Sequence, residues 1–535
     1  MLSSGLSLRA LFEKNGLRKN AESASGQTIF SALGLNAVNL ETQAKSLIPY
    51  NAPFYNSTPR VTSDVGGLTV QWKAVLAASA GFITLPESER NQAASLLERD
   101  YSAPFKSSGV DVDVSMFAQE TGREFQDNLG FAQFSALQMF LRAQDQQLLC
   151  DGNSGTSGNG YELGTTPTPT VALVLNSTVQ GSIPASTHVS VRIVALTPFG
   201  LRAQKDPFVN PLNGTGLTPQ LSAVSMTGDT ITASGGTAAV SASSNVVETD
   251  STHQTVQVSY DAPFGAVAFA VYVDSEDTSS PPAADAFFAG IFNGESCYIT
   301  ALPSDSNQPA SATGLNVDYS YDVNAVDSYF AWAVNWSSQG ESATGDYAAF
   351  QSYVADQGGS TLTAVGDGSI QEFTDAADYL YNNYKSAPDR ILIASQTVSG
   401  TSLKAEIQKA MLSGSEGFGN SSASRIIFES KDGEIKGGTK QLAYEWPYSY
   451  DGISKVITIE VMPWLQPGMI VFQTTQNPYP QAAGRIPAAW EVHALLDTFS
   501  IVWPIRKLQR ELGVYNFTAT KSYLPHVAAA LQNVG

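Results

Sequence analysis

The sequence predicts an α+β protein interrupted by an inserted all-β sandwich, and three observations lead there. Residues 165–345 hold three Lys/Arg (Arg192, Arg202, Lys205) against fifteen Asp/Glu, so −12 of the chain's −20 net charge sits in that stretch. The same stretch consists of short apolar runs divided by Gly, Pro, Ser and Asn, the pattern of antiparallel strands and turns. The flanks instead carry helix-spaced apolar residues and most of the basic charge, above all a long run between 115 and 150. The insert would be one or two units, with the host discontinuous around it.

Residues 1–60 read as an extended arm with one short helix. Its first 19 residues hold Arg9, Lys14, Arg18 and Lys19 against only Glu13, a local net charge of +3 on an acidic chain. These four are the candidate DNA-facing residues, since contact with phosphate needs cationic side chains; a solvated helix face is the competing account. SLIPYNAPFYNSTPR (46–60) contains Pro49, Pro53 and Pro59, which argue against a regular helix or central strand. Its large apolar residues, Tyr50, Phe54 and Tyr55 among them, need cover from a neighbouring domain or subunit.

Residues 61–114 read as an extended β loop. VGGLTVQWKAVL (65–76) gives a turn and a strand carrying Trp72. GVDVDVSM (109–116) alternates valine and aspartate, giving one apolar and one polar strand face. The charged PESERNQAASLLERD (86–100) is expected as a polar excursion between these two strands. Residues 115–164 comprise a helix and a Gly/Ser-rich linker. Ser115 is the N-cap, and Phe117, Phe125, Leu129, Phe134, Leu137, Leu141, Leu148 and Leu149 recur mostly at spacings of three or four. A helix of about 35 residues would be ~50 Å long, with Gly122 and Gly130 as weak points.

Within 165–345, seven runs are expected as strands: TVALVL, HVSVRIVAL, TVQVSYDA, AVAFAVYVD, ESCYITAL, NVDYSYDV and SYFAWAVNW. No regular helix is expected there. Residues 346–480 return to mixed α/β: a helix at 369–384, the strand RILIASQTV, a helix in TSLKAEIQKAML, and strands with a turn in VITIEVMPWLQPGMIVFQTT, which includes Trp464. Residues 481–535 mix β alternation with a bulky apolar run around Trp503, where Pro504 breaks any continuous helix.

The chemistry-bearing residues are sparse. His188, His253, His493 and His526 form no metal-binding pair, and His493 with Glu491 and Asp497 reads as a satisfied structural histidine. The glycines at 417–420 and 436–440 lack the spacing and strand-turn-helix context of a nucleotide loop. Asp111 and Asp113 read as a solvated strand face. Cys150 and Cys297, in different segments, read as buried thiols. The chain has no evident secretory leader and no run of 18 apolar residues. No catalytic activity, cofactor, metal or membrane association is therefore expected, and synthesis in a cytoplasm is. The −20 net charge also argues against a general nucleic-acid binder.

Taken in order, SLIPYNAPFYNSTPR, FAQFSALQMFLRAQDQQLLCDG, APDRILIASQTVSGTSLKAEIQKAM, VMPWLQPGMIVFQ and the block from 488 to 535 resemble a tailed-bacteriophage major capsid protein of the HK97 fold. The resemblance covers roughly residues 40–160 and 346–535. It implies an N-arm (1–60), an extended loop (61–114), a peripheral domain with a long spine helix (115–164 and 481–535) and an axial domain (346–480). The insert at 165–345 resembles an immunoglobulin-like or fibronectin-like domain. The implied function is self-assembly of hexamers and pentamers into an icosahedral head shell around double-stranded DNA, with the insert on the outer surface. Implied partners are a portal, a separate scaffolding protein, a decoration protein or a host-surface glycan, and packaged DNA contacted without sequence preference. Tyr50, Phe54, Tyr55, Trp72, Phe134, Trp464 and Trp503 are the expected assembly contacts. Covalent Lys–Asn cross-links occur in this family, but nothing here selects a triad around Lys73, Asn420 or Asn477. The alternative is a secreted or tail-associated adhesin with Ig-like modules.

Overall fold

The computed structural model describes residues 51–62, 67–79, 95–122, 127–224, 230–276, 286–340, 348–365, 369–394, 455–479, 488–505 and 508–535, with short strands at 30–32, 35–37, 430–431, 434–435 and 442–446. The chain divides into two compact units. The smaller comprises Met1–Pro49, Val112–Ser135 and Val502–Leu512; the larger comprises Tyr50–Asp111, Ala136–Ile501 and Gly513–Gly535.

The first third of the chain contributes α1 (Pro53–Ser57), β1 (Arg60–Thr62), β2 (Thr69–Ser79), β3 (Ser95–Pro104), β4 (Lys106–Ser115), α2 (Met116–Gly122) and α3 (Asn128–Gln146). α1 corrects the expectation of irregular chain at 46–60. Pro53 occupies the first helical turn, where its missing N–H costs nothing, so proline starts this helix rather than preventing it. β2 pairs antiparallel with β3, whose residues 95–100 were expected in the polar excursion; 109–115 belong instead to β4, in a different sheet. The valine–aspartate alternation of β4 is realised, with the valines half-buried and the aspartates exposed.

The expected long helix is present in two α-helical pieces, α2 and α3. Ser115 caps the first, its Oγ accepting the Ala118 N–H at 3.1 Å. α3 continues into a single π-helical turn, Gln147–Asp151, and stops at Gly152. A Cβ on Gly152 would stand 1.9 Å from the Val326 carbonyl oxygen, so only glycine allows this approach of two backbones.

The middle third contains β5 (Thr170–Val174), β6 (His188–Leu196), α4 (Pro198–Lys205), β7 (Gln220–Val224), β8 (Thr230–Ser234), β9 (Val247–Glu248), β10 (Thr255–Ser259), β11 (Ala268–Glu276), β12 (Phe287–Phe292), β13 (Ser296–Ile299) and α5 (Tyr329–Asn335). Two antiparallel sheets, in the orders β9-β6-β11-β12 and β13-β10-β5, account for five of the seven expected strands. The other two expectations fail. SYFAWAVNW forms α5, capped by Ser328 Oγ on the Ala331 N–H at 3.0 Å and buried on every side. An all-apolar run shows no period to tell strand from helix. NVDYSYDV forms turns, because Asp318 and Asp322 accept the N–H groups of Ser320 and Asn324 two residues on. α4 also contradicts the expected absence of helices: Thr197 caps it and Pro198 begins it.

The last third supplies β14 (Tyr353–Asp356), α6 (Gln371–Tyr384), β15 (Arg390–Ala394), β16 (Leu442–Trp446), β17 (Lys455–Met462), β18 (Ile470–Gln473), β19 (Trp490–Val502), β20 (Gln509–Ser522) and β21 (Ala529–Gln532). A six-stranded mixed sheet runs β14-β21-β18-β15-β17-β16. α6 packs on it through Phe373, Ala377 and Leu380 against Ile391, Phe472 and Leu531. A four-stranded sheet has the order β1-β19-β20-β4. The helix expected in TSLKAEIQKAML lies outside the described residues.

In the larger unit, one core is shared between the strands of the middle third and the flanking host segments. Trp332 of α5, 1% exposed, lies 6.2 Å from the Trp72 ring and donates its indole N–H to Thr520 Oγ1 at 3.1 Å. Residues 326–336, at the end of the expected insert, are therefore part of the common core. Trp332→Ala is expected to cost about 3–5 kcal/mol, the range for emptying a large aromatic site, read as a shift of the denaturant midpoint at unchanged slope.

Candidate functional site

One exposed structured surface of the larger unit is the β2–β3 ribbon. Its base is anchored: Val70, Trp72 and Ala103 are buried. Trp72 stacks on its cross-strand partner Tyr101 at 5.8 Å and 19°, and Tyr101 meets Trp336 at 5.9 Å. The Lys521 ammonium stands 5.3 Å from the Trp72 ring centroid. Farther along, apolar side chains face water: Val75 is 56% exposed, Leu96 62% and Leu97 40%. Lys73 sits opposite Asp100 at 3.7 Å, an exposed pair that adds little. A register shift between Val75 and Ala77 marks a bulge. Among the described residues neither strand pairs with anything but the other.

A groove beside the ribbon base is lined by Trp72, Leu76, Trp336, Phe350, Tyr523 and His526. His526 is packed among the rings of Phe350, Tyr384 and Tyr479, and burial pushes its imidazole down to about 3. It is a neutral packing group at physiological pH.

The second feature is the seat of α1. Phe54 is fully buried, 5.8 Å from Trp490. Tyr55 lies beneath the Arg60 guanidinium (4.2 Å), which pairs with Asp497 at 2.7 Å. Trp464 donates its indole N–H to the Asn51 carbonyl at 2.5 Å and carries Arg142 over its ring at 4.2 Å. α1 has no side-chain cap of its own. Asp145 of α3 supplies one, its Oδ1 accepting the Tyr55 N–H at 2.7 Å. Burial raises this carboxyl to about 6, against the lowering effect of the Tyr55 and Phe54 N–H groups.

In the smaller unit, the Met116 N–H bonds the Leu508 carbonyl at 2.9 Å, and Gln509 bonds Asp113 at 3.1 Å. Phe117 (80%), Phe134 (55%), Trp503 (38%) and Leu508 (75%) are exposed there.

These positions sort the expected contact residues. Phe134 and Trp503 present surface outward. Phe54, Tyr55 and Trp72 are buried within their own chain, against Trp490, Arg60 and Tyr101 respectively. Trp464 is half-buried beneath Arg142. Tyr50, Arg9, Lys14, Arg18 and Lys19 lie outside the described residues. Sequence reasoning missed Val75, Leu96 and Leu97, which sit beside or within a charged run, and Asp145, a polar residue among helix-spaced apolar ones.

His493 Nε2 meets the fully buried Glu491 at 2.8 Å, and no hydroxyl or thiol bonds His493 among the described residues. Both cysteines are free and buried. Among the described residues no cluster of His, Cys, Asp or Glu could hold a metal, and no helix is long and apolar enough to cross a membrane.

No family model and no curated protein matches the chain. Among solved structures it is similar to the capsid of Myoviridae phage XM1 (8% identity, 93% of this chain and 96% of that one, TM-score 0.36). It is also similar to the capsid of the native GTA particle (6%, 94% and 98%, TM-score 0.37). A third similar structure is that of the phage G major capsid proteins and decoration proteins (7%, 93% and 94%, TM-score 0.31). These are distant, low-identity similarities to phage and GTA capsid proteins.

Asp145 yields a pH prediction. A carboxyl raised on folding binds its proton more tightly in the native state, so its contribution is full in acid. It is lost as pH rises from about 4 to about 6, by at most ~3 kcal/mol. Asp145→Asn keeps an acceptor for Tyr55 without the buried charge. The pH dependence of unfolding should be shallower in this variant than in wild type across that window, and the variant more stable than wild type at neutral pH.

Proposed function

We propose that this chain is the major subunit of an icosahedral head shell enclosing packaged double-stranded DNA, assembled from hexamers and pentamers. The observation that carries the reading is the β2–β3 ribbon. A two-stranded ribbon is marginal in water by itself, and the outer part of this one exposes Val75, Leu96 and Leu97 with both strand edges unpaired among the described residues. Such a surface calls for a partner. In a closed shell each subunit meets its neighbours through unlike patches, and an outlying ribbon reaches one without a larger core. Phe117, Phe134, Trp503 and Leu508 form further uncovered apolar surface suited to the same use.

In this reading residues 1–60 are the N-arm, 61–114 the extended loop, and the helix and C-terminal strands the peripheral domain. Arg9, Lys14, Arg18 and Lys19 face the genome, contacting phosphates without sequence preference. The acidic, Ig-like middle third is displayed outward, where a decoration protein or host-surface glycan would meet it. A portal and a separate scaffolding protein complete the assembly, made in the host cytoplasm and ending in the virion.

Negative-stain microscopy of the expressed chain, with and without scaffold, is expected to show closed shells tens of nanometres across. The V75S/L96S/L97S variant should keep the melting temperature of the unassembled chain and lose the shells. A monodisperse small oligomer under all salt and scaffold conditions would overturn the reading in favour of an adhesin. In filled particles, replacing Arg9, Lys14, Arg18 and Lys19 with Gln should flatten the salt dependence of DNA retention, by up to about one unit of logarithmic slope per lost contact.

A further inference from the structure

We propose that Glu295 and Asp356 form a proton-sharing clasp that holds the β12–β13 turn against the end of β14 and the C-terminal strand, and that the clasp loosens when the pair gives up its shared proton. Both carboxyls close on Gly358, whose N–H bonds Asp356 Oδ1 at 2.9 Å and whose Cα faces Glu295 Oε2, which brings the two acids into interaction with each other. Asp356 ends β14 and accepts three hydrogen bonds: from Gln532 Nε2 at 2.6 Å, Asn533 Nδ2 at 2.9 Å and the Gly358 N–H at 2.9 Å. That is the surrounding of an ionised carboxylate. The shared proton therefore resides on Glu295, whose Oε1 accepts the Ala262 N–H at 3.3 Å.

The backbone is shaped to permit the approach. Gly358 has φ +60°, and a Cβ there would stand 2.8 Å from Glu295 Oε2. A Cβ on Gly294 (φ +84°) would stand 3.2 Å from the Gly359 Cα. The same junction carries the ties of the C-terminal segment. Gln532 accepts the Gly265 N–H at 2.8 Å and Asn533 donates to the Ala266 carbonyl at 3.4 Å. The N–H groups of Gln357 and Gly359 donate to the carbonyls of Gln532 and Asn533, and that of Gly535 to the Ser360 carbonyl. Asp356 thus stands where the turn after β14, the loops of the middle third and the last residues meet.

The charged surroundings make the pair responsive. The loop before β11 brings Asp261, a further negative charge, and Tyr260, which is itself perturbed by Glu295. The C-terminal strand presents only neutral amides to Asp356. Among the described residues no Lys, Arg or His side chain bonds either carboxyl. Burial, and for Glu295 also the Asp356 charge, holds both groups above the ordinary carboxylate range. Carboxyls raised on folding stabilise the folded contact most in acid and lose that contribution as pH rises through their raised values. Above that range two negative charges face one another with no cation between them among the described residues.

The test is hydrogen–deuterium exchange on the full chain, corrected for intrinsic rates and followed in peptides covering 353–360 and 529–535. From about pH 5 to about pH 9 the wild-type protection there is expected to fall by about tenfold or more. Glu295→Gln donates an amide hydrogen to Asp356 at every pH and should give a flat profile with protection retained. Glu295→Ala should give a flat profile with protection lost. Asp356→Asn probes the pair from the other side and should also be flat, which serves if the Glu295 variants do not fold. A pH-independent wild type, or variants that track the wild-type slope, would overturn the clasp.

Discussion

The larger unit depends on the burial of one short helix. Residues 329–335 lie inside the core, and Trp332 at their centre touches what the rest of the unit is built on. Its ring stands against Trp72 at the base of the ribbon, and its indole N–H is held by Thr520 of β20. Thr520 donates in turn to the Asp327 carbonyl at 2.8 Å. The Asp327 carboxylate takes the Ser154 N–H and hydroxyl and the Asn159 N–H, which pins the chain as it leaves α3. Ribbon, helix end, middle third and C-terminal strand are thus joined through one buried side chain and the hydrogen bonds around it.

Buried charge marks the junctions of this arrangement. Asp145 holds α1, Asp327 holds the turn at 154–159, and Asp151 takes Arg202 of α4 at 2.7 Å next to the Cys150 thiol. Burial raises each of the three carboxyls, and the N–H groups or guanidinium nearby offset part of that. Such sites contribute little net stability, because desolvation consumes most of what the pairing returns. Their contribution is geometric: a carboxylate with several donors accepts one arrangement of the segments that supply them. The clasp at Asp356 belongs to the same class, with the difference that its partner is another acid and its strength therefore follows pH.

Much of the secondary structure was legible in the sequence. α6, β15, β17, β18 and five strands of the middle third occur where period-two or helical spacing placed them, and Ser115 caps the helix it precedes. The failures share a cause. α5 is apolar on every face, so its period is hidden, and Pro53 reads as a breaker unless its position in the first turn is known. The exposed part of the ribbon was unreadable because Val75, Leu96 and Leu97 carry no mark that separates uncovered apolar residues from core ones. Phe54, Tyr55 and Trp72 find cover within their own chain: sequence shows that an aromatic needs cover, not which segment provides it.

By itself the sequence determined where local periodicity, caps and turns would form, that acidic charge would gather in the middle third, and that no familiar catalytic or metal-binding pattern is present. Those properties arise from neighbours a few residues apart. Only the tertiary structure decided that residues 326–336 belong to a common core, that Asp145 caps a helix ninety positions away, and that Glu295 meets Asp356. Each of these is a contact across a long loop of chain, set by which buried surfaces and hydrogen-bonding groups satisfy one another once the segments have packed.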